Sequence, residues 1–428
     1  MKYIITTLGC KVNQYETQAM ESLLLAHGHS PAAPGEPADA VIVNTCAVTA
    51  ESGRKSRQAI RRLRDENPGA VLAVCGCYAQ LEPDAAEELG AKVIFGAAER
   101  AGTVEAVERA VAEGEATRSV DRPFERRELE MLPAGAVGGR TRAMLKIQDG
   151  CVNFCSYCII PYTRGRLRSL PIEAACAETV RLRDEGFREL VLTGIEIASY
   201  GVDLPGRPGL ADVVEAIAGV SGEMRLRLGS LEPTVVTEDF CRRLAACGKV
   251  CRHFHLSLQS GCDRTLAAMN RKYDTAAFFR VTELLRQSFP GCALTADLIA
   301  GFPGETERDQ ADTLAFIRRV GFADIHVFPY SRRPGTPADR MPEQCTRALK
   351  ARRAHELQQA ADGMRRQYMA ENVGQTLPVL FETEEDGLWL GHSDNYLPVA
   401  ARGEALRGRT LPVFIEAAEA EALKGRIV

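Results

Sequence analysis

The stretch at residues 150–165, GCVNFCSYCIIPYTRG, places Cys151, Cys155 and Cys158 within eight residues, directly behind the apolar run AMLKIQ. A strand running into a thiol-rich loop marks the carboxyl end of a βα unit, where α/β barrels gather their ligand sites. Three thiolates spaced C-x3-C-x2-C suit three irons of a [4Fe–4S] cluster and leave the fourth iron open to a ligand that is not protein. A zinc site needs a fourth donor, and the nearest histidines, His253 and His255, stand far along the chain.

Working outward, five more strand candidates follow, ELVLTG, MRLRLGS, HFHLSL, ALTADLIAG and ADIHVFP, separated by helical patterns such as residues 172–186 and 305–320. Six βα units in series predict a partial (βα)6 barrel over 143–345. Upstream, KYIITTL, AVIVNT, AVLAVCG and AKVIFG alternate with amphipathic stretches and predict a small doubly wound α/β domain over 1–116. Residues 117–142, rich in arginine, glutamate, glycine and proline, read as a linker. Residues 346–371 predict one charged connecting helix, and 372–428, short alternating runs broken by glycine, a small all-β barrel. The fold class is therefore α/β with a carboxyl-terminal β domain.

A chain of 428 residues suits two or three domains. Its net charge of −4 excludes global attraction to nucleic acid, so a polyanion must be held by local basic patches. The opening MKYIITTLGCKVNQYE lacks the apolar core of a signal peptide, and no apolar run reaches membrane-span length. A cytoplasmic location is expected, and fourteen cysteines in that reducing compartment predict thiols and metal ligands, not disulfides.

In the first domain Cys10 follows KYIITTLG, Cys46 follows AVIVNT, and Cys75 and Cys77 end AVLAVCGC. Ligands of open α/β sheets bind beyond the carboxyl strand ends, so these thiols should converge on a second three-cysteine cluster site. Cys77 is preferred to Cys75 because Gly76 ends the strand, leaving Cys75 inside it. Asn13, Gln14 and Asn44 flank the thiols and can bond cluster sulfides or substrate, or serve as helix caps. Cysteines 176, 241, 247, 251, 262, 292 and 345 have no ligand spacing and read as core or surface thiols.

The cysteine loop at the first strand of a six-unit barrel resembles the radical S-adenosylmethionine (SAM) enzymes. LGCKVNQYE, NTCAVT, GCYAQ, VLTGIEIASYG, LGSLEP, HLSLQSGCDRTLAAMNRKY, DLIAGFPGET and FPYSRRPGTPA join the opening stretch in resembling the motif blocks of the radical-SAM methylthiotransferases. The carboxyl-terminal domain is similar to a TRAM domain. TLGCKVNQYE and RGRLRS look most like the branch acting on N6-threonylcarbamoyladenosine in tRNA.

The resemblance implies two [4Fe–4S] clusters. One would bind SAM and yield a 5′-deoxyadenosyl radical; the other would carry sulfur. A methylthio group would be added at C2 of N6-threonylcarbamoyladenosine at position 37, beside the anticodon. The implied partners are tRNA, SAM and an electron donor such as flavodoxin or ferredoxin, with no membrane and a monomeric chain. Isopentenyladenosine tRNA or a ribosomal protein is the alternative substrate. A cobalamin-dependent methyltransferase would need a histidine cobalt ligand in a first-domain loop, whereas His27 and His29 sit on or just after a helix. An iron–sulfur RNA-binding redox protein would leave the barrel strand ends without a purpose.

Tyr157 matches the position that packs near the adenine in such enzymes. Gly194 and Glu196, Ser257 and Gln259, and Asp297 and Gly301 stand at or beyond carboxyl strand ends and are the SAM candidates. Arg271 is a weaker candidate and reads as solvated. RNA contacts are expected from Arg164, Arg166, Arg168, Arg332, Arg333 and the basic helix at 347–366. Residues 373–428 carry nine acidic and five basic side chains, so only local groups such as Trp389, Tyr396 and Arg402 suit RNA there.

Overall fold

The computed structural model describes residues 1–133 and 141–428; the part of the expected linker at 134–140 lies outside the described residues. The first sheet comprises β1 (Lys2–Thr7), β2 (Ser30–Pro31), β3 (Ala40–Thr45), β4 (Val71–Gly76), β5 (Val93–Phe95) and β6 (Thr117–Ser119). The strands are parallel, in the order β2-β1-β3-β4-β5-β6. Helices cover both faces, which is why β3 reads as the unbroken apolar run AVIV. Ala40 and Ile42 pack toward helices Lys11–Ala26 and Arg100–Ala112, whereas Val41 and Val43 pack toward helix Ala50–Glu66.

β6 carries this sheet beyond the boundary expected at residue 116, and the segment behind it is docked. Arg126 donates to the Thr163 carbonyl at 3.1 Å, Leu132 is buried in the barrel core, and the Tyr15 hydroxyl donates to the Leu132 carbonyl at 3.0 Å. Its sparse apolar residues hid this, because one or two anchors suffice to pin a polar strap.

The barrel is built from β7 (Arg142–Asp149), a short β8 (Arg168–Ser169), β9 (Glu189–Gly194), β10 (Arg225–Leu228), β11 (His253–Gln259), β12 (Ala293–Ala300) and β13 (Asp324–Pro329). Its two sheets, β10-β9-β7-β8 and β11-β12-β13, meet through bridges at Leu226 with Val250 and Leu231 with Leu256. Only β8 runs antiparallel, and all six expected strands are present. On β11 the alternation is regular: Phe254, Leu256 and Leu258 are fully buried in the core, while His255, Ser257 and Gln259 are half-buried on the interior face.

Helix Arg347–Glu371, capped by the Thr346 hydroxyl accepting from Leu349 N at 3.2 Å, packs along β12 and β13. The last domain is a closed barrel of β14 (Thr376–Glu385), β15 (Leu388–Ser393), β16 (Pro398–Ala401), β17 (Thr410–Ala418) and β18 (Leu423–Ile427), ordered β14-β15-β16-β18-β17. It covers the amino-terminal ends of the barrel strands. Arg142 reaches Glu382 at 2.7 Å, Arg225 the His392 carbonyl at 2.9 Å, Arg227 the Asp394 carbonyl at 3.0 Å, and Arg252 the Asp394 carboxylate at 2.6 Å. One end of the barrel is thereby closed, and the cysteine loop occupies the other.

Candidate active site between two cysteine triads

Two glycines make the opening loop possible. Gly150 and Gly165 have φ of +78° and +75°, and a Cβ on either would stand within 2 Å of a carbonyl, 1.8 Å from that of Arg166 and 1.9 Å from that of Pro123. The loop therefore folds back on itself, with Cys151 N donating to the Gly165 carbonyl at 3.0 Å. Cys158 N bonds the Cys155 carbonyl at 2.9 Å, and Ser156 pins the turn to Ala268 and Met269.

Arg271, read from sequence as solvated, has a side chain only 5% exposed beside this loop. Its guanidinium donates to Cys155 Sγ at 3.1 Å, to Glu232 at 2.5 Å and to the Ser257 carbonyl at 3.1 Å. Burial pushes the Cys151 and Cys158 thiols up to about 12, so iron must displace protons to bind them. Three convergent sulfurs with an arginine donor fit an iron–sulfur cluster, whose sulfurs accept hydrogen bonds.

The structure also brings Cys10, Cys46 and Cys77 together. Cys10 immediately precedes helix Lys11–Ala26, Cys46 follows β3, and Cys77 opens helix Cys77–Leu81. A Cβ on Gly9 would lie 3.2 Å from Cys46 Sγ. Cys10 is exposed at the edge of this group, whereas Cys46 and Cys77 are buried. Cys75 instead points into the apolar core beside Ala73 and Phe95. The two triads adjoin: helix Cys77–Leu81 packs against helix Ile160–Arg164 just behind Cys158, and Arg164 bonds Asn13, beside Cys10, at 3.0 Å.

Between them lies a buried ion network. Glu16 accepts from Arg164 and pairs with Lys146 and Arg100, both at 3.3 Å; Asp149 pairs with Lys146 at 3.2 Å, Arg164 at 3.3 Å and Arg168 at 3.5 Å. Burial alone would raise the Glu16 carboxyl, but Arg164, Lys146 and Arg100 together bring it down to about 2. A separate cavity of about 760 Å³ runs from Cys10 through the barrel interior to Tyr396.

Residues 2–96 match the family described as Uncharacterized protein family UPF0004, and residues 145–317 match the Radical SAM superfamily. The threonylcarbamoyladenosine tRNA methylthiotransferase MtaB of Bacillus subtilis (strain 168) is 37% identical, over 96% of this chain and 92% of its own length. The chain belongs to the radical-SAM methylthiotransferases. The tRNA-2-methylthio-N(6)-dimethylallyladenosine synthase of Pelotomaculum thermopropionicum is 34% identical over 99% of this chain and 97% of its own. A structure of the radical SAM methyltransferase TsrM from Kitasatospora setae shares the fold, with a TM-score of 0.59 at 15% identity over 90% of this chain and 79% of that one.

A radical-SAM methylthiotransferase uses a [4Fe–4S] cluster and SAM, and several expected SAM residues stand near the barrel triad. Glu196 accepts from Asn153 at 3.0 Å and from Ala198 N at 3.2 Å; burial and the neighbouring Glu232 raise it to about 7. Gly194 ends β9 where a Cβ would come within 2.8 Å of the Gln148 carbonyl. Tyr157 packs against the cluster of Met269, Phe302 and Tyr330. Ser257 and Gln259 lie at the carboxyl end of β11, Gln259 with a φ of +66°. Asp297 instead lines the cavity that reaches Tyr396, paired there with His255 and His326, both at 3.3 Å.

Other expected roles in the methylthiotransferase need correction. Gly301 has a packing role: its N–H donates to Glu305 at 3.1 Å, and a Cβ there would strike Lys350 at 2.4 Å, so the glycine lets helix Arg347–Glu371 approach. Arg164 and Arg168 are buried in the ion network and do not face RNA. In helix Arg347–Glu371, Arg353 is buried against Glu305 and Glu307. Asn13 and Asn44 are buried too: Asn13 Nδ2 donates to the Leu8 and Thr45 carbonyls at 2.8 and 2.9 Å, and Asn44 Nδ2 to the Asn13 carbonyl at 3.0 Å. They hold the Cys10 and Cys46 loops.

Gln14 lines the cavity. Arg166 is exposed, Arg332 pairs with Asp339 at 2.5 Å, and Arg333 is half-buried near Cys46. Trp389 is buried, whereas Tyr396 stacks between His253 and His392, with ring centroids at 4.8 and 5.0 Å. His27 and His29 both bond Glu108, at 2.7 and 2.8 Å, at the sheet edge opposite Cys10, so neither is offered as a cobalt ligand.

The network residues Glu16, Lys146 and Asp149 were missed by sequence reasoning. Asp149, beside Gly150 and Cys151, is the one with a local signal.

Proposed function

We propose that this methylthiotransferase adds a methylthio group to C2 of N6-threonylcarbamoyladenosine beside the tRNA anticodon. Cys151, Cys155 and Cys158 would hold the cluster that binds SAM, and Cys10, Cys46 and Cys77 a second [4Fe–4S] cluster. When bound, the two groups supply radical generation from SAM and a sulfur to transfer. The observation that carries the reading is that the two thiol sets adjoin, with Arg164 behind the Cys158 loop bonding Asn13 beside Cys10 at 3.0 Å, because one adenine edge has to reach both chemistries.

The chain's own residues then position and shield. Arg271 would orient Cys155 and offset the charge of its site, while Glu196 would bind the SAM ammonium as its carboxylate. The Glu16 and Asp149 network would keep water from between the triads and fix their separation. Arg166, Arg332 and helix Ala50–Glu66, which carries Arg54, Lys55, Arg57, Arg61 and Arg62, are the basic groups suited to tRNA phosphates. Flavodoxin or ferredoxin would deliver the electron, and the chain would act as a monomer in the cytoplasm. Among the described residues no helix is long and apolar enough to cross a membrane.

The test is anaerobic reconstitution with iron, sulfide, reductant, SAM and an anticodon stem-loop bearing the threonylcarbamoyl base. Wild type should give the methylthio nucleoside, and Cys77→Ala should give none. Product on a dimethylallyladenosine stem-loop alone would contradict the substrate.

A further inference from the structure

The cavity between Cys10 and Tyr396 contains polar groups that neither cysteine triad uses. β11, β12 and β13 turn His255, Thr295, Asp297 and His326 inward, with Asp297 between the two imidazoles and Thr295 Oγ1 at 3.0 Å from His255 Nδ1. Two cations reach the same space: Lys11, next to Cys10, and Arg365, from helix Arg347–Glu371. Neither has an ion pair among the described residues. The remaining acid on the wall, Asp324, accepts from Ile325 N at 2.8 Å.

Unpaired cations beside hydroxyl and imidazole groups suit an anion that carries its own hydroxyl and amide groups. An alkyl tail in the same place would desolvate those groups without replacing their hydrogen bonds. The location adds to the chemistry. Lys11 adjoins Cys10, so a base whose C2 approaches the first-domain triad would bring its N6 substituent within reach of this wall.

Resting on the threonylcarbamoyladenosine reading, we propose that Lys11 and Arg365 bind the carboxylate of the threonylcarbamoyl group. His326 and Thr295 face its hydroxyl and carbamoyl atoms. This subsite selects the modified nucleoside, and the wall of the barrel interior discriminates between an acidic and an apolar N6 substituent.

The experiment measures binding of two anticodon stem-loops to the reconstituted enzyme by fluorescence anisotropy, one with the free threonylcarbamoyl acid and one with its methyl ester. Iron content and product are followed in parallel. Lys11→Gln and Arg365→Gln, at wild-type iron content, should each lose about 10- to 100-fold in affinity for the acid and less than about two-fold for the ester. If Lys11→Gln disturbs the neighbouring cysteine site, Arg365→Gln decides alone, since its helix carries no cluster ligand.

Equal wild-type affinity for acid and ester, or equal losses on both RNAs, overturns the subsite while leaving the reaction intact. Wild-type product on a dimethylallyladenosine RNA and none on the acid overturns the substrate reading and the subsite with it.

Discussion

Arg164 Nη2 donates to Asn13 Oδ1 at 3.0 Å, joining the loop behind the barrel triad to the turn that carries Cys10. Asn13 in turn bonds the Leu8 and Thr45 carbonyls, each beside one of the first-domain thiols. A single guanidinium therefore couples the placement of both cysteine sets. With Glu16 and Asp149 it is also part of a charge network sealed from water, where loss of one partner leaves the others buried and unpaired.

Arg164→Met should lower unfolding stability by about 3–5 kcal/mol and reduce iron retention at both sites. Urea unfolding and iron analysis of purified protein check this. An unchanged midpoint with full iron would show that the network is not what aligns the two loops.

The choice of Cys77 over Cys75 separates two variants. Cys77→Ala should lose roughly half of the iron and sulfide after reconstitution, whereas Cys75→Ala should keep the full complement at some cost in core packing. Mössbauer spectra with iron counts distinguish them, and the reverse pattern would move the ligand to β4.

Glu16 makes stability depend on acid pH in a defined direction. Its carboxyl falls from 4.5 to about 2 on folding, so the stabilisation is complete above about 4.5 and lost as pH drops toward 2. Denaturant midpoints of the apoprotein should fall through this window. Glu16→Gln should start lower and show a shallower slope; a slope matching wild type would remove Glu16 as the source.

Glu196 sits at about 7, raised by burial and by Glu232. If its carboxylate binds the SAM ammonium, SAM affinity should rise as pH passes upward through about 7, and binding near neutrality should release a proton. Calorimetry in buffers of different ionisation enthalpy reads both. Glu196→Gln should bind more weakly and without that pH dependence, and a wild-type profile in this variant would exclude the carboxylate from the SAM site.

The cysteine spacing and the strand candidates were legible because they are local: thiols three or four residues apart, and apolar runs of strand length ending in glycine or cysteine. Convergence of Cys10, Cys46 and Cys77 was legible through topology, since parallel strands deliver their ends to one edge. The charge network was not. Glu16 lies on a helix where a lone carboxylate reads as a solvated face, and its partner Arg164 is 148 residues away. The same blindness assigned Arg164 and Arg168 to RNA and left Arg271 in solvent, because an arginine's fate depends on which carboxylates or sulfurs the fold places beside it. The packing role of Gly301 was hidden for a related reason: a GFPG turn gives no local sign that Lys350 packs against it.

The most direct measurement is mass spectrometry of nucleosides from tRNA of cells with and without the gene. Loss of 2-methylthio-N6-threonylcarbamoyladenosine with accumulation of its precursor is the predicted result. Persistence of that nucleoside while another methylthio nucleoside disappears, or no change in any of them, would contradict the account.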